Sequence, residues 1–311
     1  MPRYLVTGGA GFIGSHLVAA LVGQGDHVVV LDNLESGKTS NLNGVDGEFH
    51  LIEASVTDVD AVAEAARGCA GVFHLAALPS VARSVDEPLE SHAANATGTI
   101  NVLEVARREG LRVVYAGSSS AYGDQPVAVM SEDLRENPLS PYGAAKLSGE
   151  LNCRVFANVY DLPVVVPRFF NVYGPRQVPD SPYSGVVAAF CFALMRGEAP
   201  RVHGTGKQSR DFTYVGDVAR GCILAMEASF GGCETINLAC GGSHSVLEIL
   251  NLLKSHAGVE VEPVFEAARA GDVEFSKAEI TRAQRLLGFE PQVSLSDGLR
   301  ATYDWYRSEY A

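Results

Sequence analysis

The stretch from Thr7 to Gly14, Thr-Gly-Gly-Ala-Gly-Phe-Ile-Gly, constrains the fold more than any other part of this sequence. It follows a short apolar run and opens into a segment whose apolar residues recur at helical spacing. A second apolar run, His27–Leu31, ends at Asp32. Glycines let the backbone approach a pyrophosphate, a helix N-terminus favours its charge, and a carboxylate accepts hydrogen bonds from a ribose diol. This order of strand, glycine turn, helix, strand and acid therefore predicts a dinucleotide site.

The glycine spacing and the residue after the acid refine this prediction. Gly8, Gly11 and Gly14 follow G-x-x-G-x-x-G, which differs from the general G-x-G-x-x-G pattern. Asp32 is followed by Asn33 and not by an arginine. Because a carboxylate at this position would repel a 2′-phosphate, the sequence favours NAD over NADP. The alternative is a glycine-rich turn in an α/β domain that binds no cofactor.

Strand-like apolar runs alternate with segments of helical periodicity as far as Arg168. This alternation predicts an α/β fold with a doubly wound parallel sheet of the Rossmann type. The pattern becomes irregular afterwards, so we assign residues 1–168 to an NAD-binding domain and 169–311 to a second, smaller α/β domain for the substrate. Residues 212–240 are candidates for a return to the first domain. We expect helices near 12–21, 58–67, 88–109, 142–160, 185–196, 217–228, 246–256 and 295–310.

Composition limits the partners and the compartment. A formal charge of −13 over 311 residues argues against nucleic acid, because phosphate binding needs a basic face. No apolar run reaches the ~18 residues of a membrane span. The six cysteines form no C-x-x-C pair and no cluster with histidine, so we expect no metal site. Free thiols and an N-terminus that enters its first strand at once predict a cytoplasmic protein.

Tyr142 and Lys146 are the second informative feature, since residues at i and i+4 share one helix face. A tyrosine that acts as a base near neutral pH must hold its pKa about 3 below the free value, which corresponds to about 4 kcal/mol. A cation ~5 Å away contributes ~3 kcal/mol at an effective dielectric of ~20. We therefore expect Lys146, together with a positively charged nicotinamide, to supply this shift. An exposed pair on a surface helix is the alternative.

A run of serines follows the fifth predicted strand, where open α/β sheets bind ligands. Ser118, Ser119 and Ser120 stand there, and a hydroxyl at this place can hydrogen-bond the substrate oxygen that Tyr142 deprotonates. A solvated serine-rich turn is the alternative reading.

With these residues the sequence resembles the extended short-chain dehydrogenases/reductases of the nucleotide-sugar epimerase family, of the UDP-glucose 4-epimerase type. The resemblance covers nearly the whole chain. It runs through Thr7–Gly14, Asp32–Leu34, His74–Ala77, Asn95, Ser118–Ser120, Tyr142-x-x-x-Lys146, Arg168–Arg176, Arg210–Phe212, Arg269-x-Gly271-Asp272 and Leu287-Gly288-Phe289-x-Pro291. Ser55 is a departure, because family members often have an acid near this adenine-contacting position.

The resemblance implies roles for individual residues. Tyr142 would be the catalytic base, Lys146 would hold the nicotinamide ribose, and Ser118, with Ser119 as its rival, would be the catalytic serine. NAD would be bound by Gly8, Gly11, Phe12, Ile13, Gly14, Asp32, Asn33, Ser36, Gly37, Ser55, Val56, Leu75, Ala76, Ala77, Asn95, Tyr142 and Lys146. The nucleotide sugar would be bound by Ser80, Ser118, Ser119, Tyr142, Asn171, Arg210, Arg269, Asp272 and Ser276.

The resemblance also implies a reaction. Related dehydratases and decarboxylases have acids just after the serine or threonine, whereas this chain has Ser119 and Ser120. We therefore expect an NAD-dependent 4-epimerase that interconverts UDP-glucose with UDP-galactose. The small Ser276 leaves room for an acetamido group, so we also expect activity on UDP-GlcNAc and UDP-GalNAc. The alternatives are another nucleotide-sugar epimerase, reductase or dehydratase, or a non-catalytic NAD-binding sensor.

Family members are commonly homodimers joined through helices of the cofactor domain. The resemblance therefore implies a homodimer here, with the helices that begin near Pro88 and Tyr142 at the interface.

Overall fold

The computed structural model describes residues 1–179, 185–268 and 274–310. Their strands range from two to six residues. In chain order they are β1 Arg3–Thr7, β2 His27–Asp32, β3 Phe49–Glu53, β4 Gly71–His74, β5 Arg112–Tyr115, β6 Gly117–Ser118, β7 Val129–Met130, β8 Val164–Phe169, β9 Val172–Tyr173, β10 Arg201–His203, β11 Ser209–Arg210, β12 Thr213–Tyr214, β13 Cys233–Leu238, β14 His244–Ser245, β15 Val264–Glu266 and β16 Phe275–Ala278.

The helices flank these strands, and none within the described ranges is long and apolar enough to cross a membrane. They are α1 Phe12–Gly23, α2 Val59–Ala66, α3 Val81–Asp86, α4 Pro88–His92, α5 Gly98–Glu109, α6 Pro141–Tyr160, α7 Val186–Met195, α8 Val215–Glu227, α9 Val246–Ala257, α10 Thr281–Leu287 and α11 Leu295–Tyr310.

The largest sheet is parallel throughout, in the order β13-β8-β5-β4-β1-β2-β3, with β6 also paired to β8. Neighbouring residues of a strand point to opposite faces, and both faces are covered. Val6 packs with α1 and α8 residues on one face, whereas Leu5 packs with residues of α2, α5 and α6 on the other. This arrangement confirms the predicted doubly wound parallel sheet.

A third apolar core lies outside this sheet. It joins α7, α9 and α11, with Phe190, Leu250 and Tyr306 among its buried members. Short strands accompany it, including the sheet β14-β11-β16-β7. The chain after Arg168 also returns to the large sheet, because β13 pairs with β8 and α8 packs against α1. The functional division between residues 1–168 and 169–311 stays a prediction.

Three of the helices begin where local side chains satisfy their first N–H groups. Asp58 caps α2 by accepting from two backbone N–H groups. Ser140 accepts from Gly143 and Pro141 occupies the first turn of α6, a position where proline's missing N–H costs nothing. Ser245 and Glu248 form a capping box at α9. Such signals explain why these helices could be placed from the sequence.

Some elements differ from the sequence-based expectation. The helix predicted over 88–109 is interrupted by a π-helical turn at Ala93–Thr97, which separates α4 from α5. Helices α3 and α10 were not expected. Both are short, with six and seven residues, so tertiary packing rather than periodicity determines them.

Gly14 allows a direct test of the glycine turn, with Gly23 of the same helix as the control. A Cβ at Gly14 would overlap the carbonyl oxygen of Gly8, whereas one at Gly23 meets nothing within 4 Å. We expect Gly14→Ala to lower the free energy of unfolding by about 1–3 kcal/mol. Gly23→Ala should raise it by about 0.4–1 kcal/mol. Urea denaturation measures both, and equal effects of the two substitutions would contradict the close approach.

Candidate active site

A cavity of about 200 Å³ opens at the carboxyl ends of β1, β2 and β4. The glycine turn forms one wall, and the first turn of α6 contributes to another. Among its lining residues are most of those predicted to bind the cofactor: Gly8, Gly11, Phe12, Ile13, Gly14, Asp32, Asn33, Ser36, Ser55, Val56, Leu75, Ala76, Ala77, Tyr142 and Lys146. Lining residues that were not predicted to bind the cofactor include Glu35, Leu78, Pro79, Ala94, Ala116 and Phe169.

The glycine turn brings two backbone segments together at this cavity. Gly8 has φ +71°, and a Cβ there would lie 2.6 Å from the backbone nitrogen of Ala76. Gly11 precedes α1 and provides no side-chain cap for it. Because the first N–H groups of a helix have no partner within the helix, this end of α1 offers donors to an anion. The turn therefore fits a pyrophosphate.

Asp32 is buried at the end of β2, and its carboxylate already accepts two backbone hydrogen bonds. Oδ2 accepts from the Ala10 N–H at 2.9 Å, and Oδ1 accepts from the Leu34 N–H at 2.9 Å. A carboxylate has about four acceptor sites, so two remain for a ribose diol. The two backbone bonds fix the orientation of the carboxylate toward the cavity that it lines.

Gly37 and Asn95 were predicted to bind the cofactor but do not line this cavity. A Cβ at Gly37 would lie 2.8 Å from Oδ1 of Asp32, so this glycine packs behind the carboxylate. The buried amide of Asn95 accepts from the N–H of Leu78 and donates to its carbonyl. Gly37 and Asn95 thus contact two residues that line the cavity, Asp32 and Leu78. Direct contact of Gly37 or Asn95 with a cofactor stays a prediction.

The buried side chain of His74, for which no role was predicted, links the start of the glycine turn to α5. Thr99 donates its hydroxyl proton to the Asn95 carbonyl, so it accepts from Nε2 of His74 at 3.1 Å. Nδ1 of His74 then accepts from Thr7 at 2.7 Å. Burial, with a smaller contribution from the Lys146 ammonium, lowers the pKa of His74 to about 3. The ring is therefore neutral and serves as a fixed hydrogen-bonding bridge.

The Tyr142 phenol lies at the first turn of α6, beside Ser118 at the end of β6. Burial raises the pKa of Tyr142 above its ordinary value, and a hydrogen bond with the Ser118 hydroxyl opposes this rise. The backbone N–H of Tyr142 donates to Ser84 Oγ at 3.0 Å, so α3 helps to position the start of α6. Ser84 was not predicted, because its partner is 58 positions away.

Lys146 is buried one helical turn further along. Its Nζ donates to the carbonyl of Ala116 at 2.9 Å and lies 5.0 Å from the centre of the Tyr115 ring. Burial lowers the pKa of Lys146 to about 8, although the charge of Glu150 opposes this. In the protein without cofactor, the Ala116 carbonyl accepts from this ammonium, and burial and Ser118 shift the pKa of Tyr142. The expectation that Lys146 and a bound nicotinamide together lower that pKa stays a prediction.

Ser118 and Ser119 differ in their surroundings. Ser118 is buried and its hydroxyl also accepts from the N–H of Ser120 at 3.2 Å. Ser119 begins the 3-10 turn Ser119–Ala121 and is half-buried. The geometry thus favours Ser118 as the partner of Tyr142.

A larger cavity of about 700 Å³ lies in the second half of the chain. Asn171 and Arg210, both predicted substrate ligands, line it together with Phe212 and Val202. The side-chain amide of Asn171 donates to the carbonyl of Asp211 at 3.3 Å. The volume of this cavity lies within the range of small-molecule sites, and the guanidinium of Arg210 suits a phosphate.

Ser80 and Ser276 are placed differently from the other predicted substrate ligands. Ser80 caps α3 by accepting from the Arg83 N–H at 3.0 Å. Ser276 is buried in β16, opposite Arg210 of β11, and does not line the large cavity. Their roles toward substrate stay predictions. Arg269 and Asp272 lie outside the described residues.

Comparisons with known proteins agree with this geometry. Residues 4–239 match the model of the NAD dependent epimerase/dehydratase family. The chain belongs to this family. It is 39% identical over 99% of both chains to a UDP-glucose 4-epimerase of Mycolicibacterium smegmatis.

Two solved structures of the family are close to this fold. A UDP-glucose 4-epimerase from Thermotoga maritima with UDP-glucose has a TM-score of 0.93 and 40% identity, covering 98% of this chain and 99% of that chain. A UDP-N-acetylglucosamine 4-epimerase from Methanobrevibacter ruminantium, in complex with UDP-N-acetylmuramic acid, has a TM-score of 0.95 and 35% identity, covering 99% of both chains.

Family membership makes NAD the cofactor and the protein an enzyme. The residues present fit NAD: the backbone of Gly8 and Ala76 forms a cradle that a side chain would fill, and Asp32 retains acceptor sites for a ribose. The small cavity is continuous with Tyr142 and Lys146, which line it.

Proposed function

We propose that this enzyme is a 4-epimerase of UDP-hexoses that uses NAD as a transient oxidant. The observation that carries the proposal is that Tyr142 and Lys146 both line the dinucleotide cavity, with Ser118 close enough to act on the phenol of Tyr142. A phenol and a neighbouring hydroxyl can share the proton of a substrate alcohol while its carbon is oxidised. The similarity to UDP-sugar 4-epimerases over the whole chain supports the same reaction.

The residues divide the work of this reaction. The chemistry supplied by bound NAD is the acceptance and return of a hydride at C4 of the sugar. Tyr142 takes the proton of the 4-hydroxyl through its phenolic oxygen and later returns it. Ser118 orients that hydroxyl, and Lys146 holds the nicotinamide ribose. Since the phenol of Tyr142 resists ionisation in the buried site, we infer that the charge of the cofactor is needed to activate it.

Elimination is a less suitable reaction for this site. The positions after Ser118 are Ser119 and Ser120, and neither offers a carboxylic acid to protonate a leaving group. Epimerisation needs no such acid. Asn171 and Arg210, at the larger cavity, are proposed ligands of the nucleotide diphosphate together with Arg269, and Asp272 is a proposed ligand of the substrate.

Tyr142→Phe tests the proposed base. We expect turnover of UDP-glucose to UDP-galactose to fall by about 10²–10⁴-fold, because the phenolic proton acceptor is removed. NADH binding, followed by fluorescence, should be nearly unchanged. Tyr160→Phe is the matched control, with little loss expected, because this tyrosine is 48% exposed at the far end of the same helix and lines neither cavity.

Three other outcomes have distinct meanings. Stoichiometric NADH from the parent enzyme without a C4 epimer would instead indicate a net dehydrogenase. A parent that binds NAD but turns over none of a panel of UDP- and dTDP-sugars would indicate a sensor. Equal turnover by Tyr142→Phe and the parent would refute the role of the phenol.

We further propose that UDP-GlcNAc and UDP-GalNAc are substrates, with Ser276 as the residue that leaves room for the acetamido group. Ser276→Tyr should lower kcat/KM for the acetylated pair at least tenfold more than for UDP-glucose and UDP-galactose, since a bulky ring fills that space. Ser276→Ala, which stays small, should retain both pairs. Product analysis by chromatography measures this, and equal losses for both pairs in a folded Ser276→Tyr protein would refute the proposed gate.

We also propose that the protein is a homodimer joined through α4 and α6, which pack side by side. Leu151, Val155 and Val159 recur every four residues on α6 and are 50%, 52% and 63% exposed. Leu89 on α4 is 85% exposed. A second copy that places its own α4 and α6 here would bury this apolar face in a four-helix arrangement.

Val155→Asp tests the proposed interface, because a buried unpaired charge opposes association. The variant should sediment as a monomer, while the parent and Val127→Asp sediment as dimers. Val127 is a suitable control, since it is 44% exposed and lies before β7, away from this face. A monomeric parent would contradict the proposal.

A further inference from the structure

A buried ion pair lies behind the catalytic residues and has no role in the reaction as described so far. Glu150 of α6 and Arg168 of β8 are both fully buried. Arg168 Nη2 donates to Glu150 Oε2 at 2.6 Å, and Nε donates to both carboxylate oxygens at 3.1 Å. Glu136 accepts from the same Nη2 at 2.8 Å. The guanidinium also stacks on Tyr122, 4.5 Å from its ring centre.

Glu150 shares a helix face with Lys146, and its carboxylate approaches the residue that precedes Ser118. Tyr142, Lys146 and Glu150 are spaced by four residues on α6 and therefore lie along one face. A Cβ at Gly117 would lie 3.0 Å from Glu150 Oε1, and Ser118 is the next residue. Gly117 also pairs with Arg168 across β6 and β8. The carboxylate thus lies beside the strand that presents the serine, on a residue of the helix face that carries the lysine.

We propose that Glu150 is a positioning residue of the proposed epimerase reaction: its carboxylate, fixed by Arg168, keeps the Lys146 ammonium charged and in place and supports the Gly117–Ser118 segment. This inference rests on the proposed function for the role of Lys146, but the contacts themselves belong to the described structure. The carboxylate lines neither of the two cavities, so it would act through Lys146 and the Gly117–Ser118 segment.

Stability alone does not explain such a pair. Moving two charges out of water costs several kcal/mol per ion, and well-packed apolar residues often replace a buried pair at no loss of stability. Burial lowers the pKa of Lys146 and so favours its neutral form, whereas a negative charge at this place stabilises the charged form. The charge of Glu150 opposes the effect of burial and holds the pKa of Lys146 near about 8.

The other groups around Lys146 cannot replace this charge. The ring of His74 is neutral, and burial raises the pKa of the Cys153 thiol well above its ordinary value. The ammonium also lies over the Tyr115 ring, whose phenol is held protonated by burial. The titratable and charged groups near Lys146 on the elements packed around it are Tyr142, Glu150 and Cys153 of α6, His74 of β4, Tyr115 of β5 and Arg168 of β8.

Glu150→Gln tests the proposal against Glu136→Gln. Both variants remove one carboxylate partner of Arg168 and keep the shape of the side chain, but Glu136 does not act on Lys146. Loss of the Glu150 charge should lower the pKa of Lys146, so the lysine loses its proton at a lower pH. We expect the basic limb of the kcat profile to move down by about one pH unit or more in Glu150→Gln and to stay in place in Glu136→Gln.

NADH binding gives a second readout that needs no substrate. Fluorescence titration at several pH values should show that the affinity of Glu150→Gln begins to fall about one pH unit below that of the parent, because the charged lysine holds the ribose. This measurement also separates two failures. If the parent turns over no UDP-sugar, the proposed function fails, whereas the binding profile still decides the role of Glu150.

A variant that leaves Arg168 unpaired could fail to fold, so Glu150→Gln/Arg168→Met removes both buried charges. This double variant should fold and should still show the downward shift of both profiles. The proposal is overturned if a folded Glu150→Gln protein, or the double variant in its place, has the same basic limb and the same NADH-binding profile as Glu136→Gln.

Discussion

Burial of ionisable groups at the carboxyl end of the sheet is the constraint on which the rest of this site depends. The fold brings α6 against β6 and β8, so the ammonium of Lys146 and the carboxylate of Glu150 are buried and Tyr142 is half-buried. Low polarity strengthens every interaction between these groups and penalises each charge that lacks a partner. The site is therefore an arrangement in which each charge must be matched by a neighbour.

The consequences are visible in each of these groups. His74 stays neutral between two threonine hydroxyls, and Lys146 donates to a backbone carbonyl while Glu150 balances its charge. Tyr142 is left as a phenol that resists ionisation, with Ser118 as its partner. We infer that this state suits an enzyme that keeps its base inactive until the cofactor adds a positive charge. The catalytic base would then be a property of the complex and not of the protein alone.

The sequence was sufficient for features that depend on neighbours along the chain. The glycine turn and the acid after β2 are local patterns, and they predicted the position of the dinucleotide cavity at the parallel sheet. Contacts between distant residues could not be read in this way. The ammonium of Lys146, for example, donates to the carbonyl of Ala116, 30 positions away.

The same reason explains the other differences. The amide of Asn95 bonds to the backbone of Leu78, 17 positions away, and no local pattern indicated that contact. Arg168 ended a predicted strand, and nothing in its neighbourhood indicated that Glu150 would pair with it across the core. Asn171 and Arg210 line one cavity, and only the family resemblance grouped them, because it carries information about the whole site that local patterns lack.

The measurement that tests this account most directly is a titration of the Tyr142 phenol with and without NAD. The difference in ultraviolet absorbance between the parent and Tyr142→Phe isolates this phenol from the other tyrosines. The account predicts a pKa above the ordinary value of about 10 in the cofactor-free protein and a fall of several pH units when NAD is bound. A phenol that already ionises near neutral pH without NAD, or whose pKa is unchanged by NAD, would contradict it.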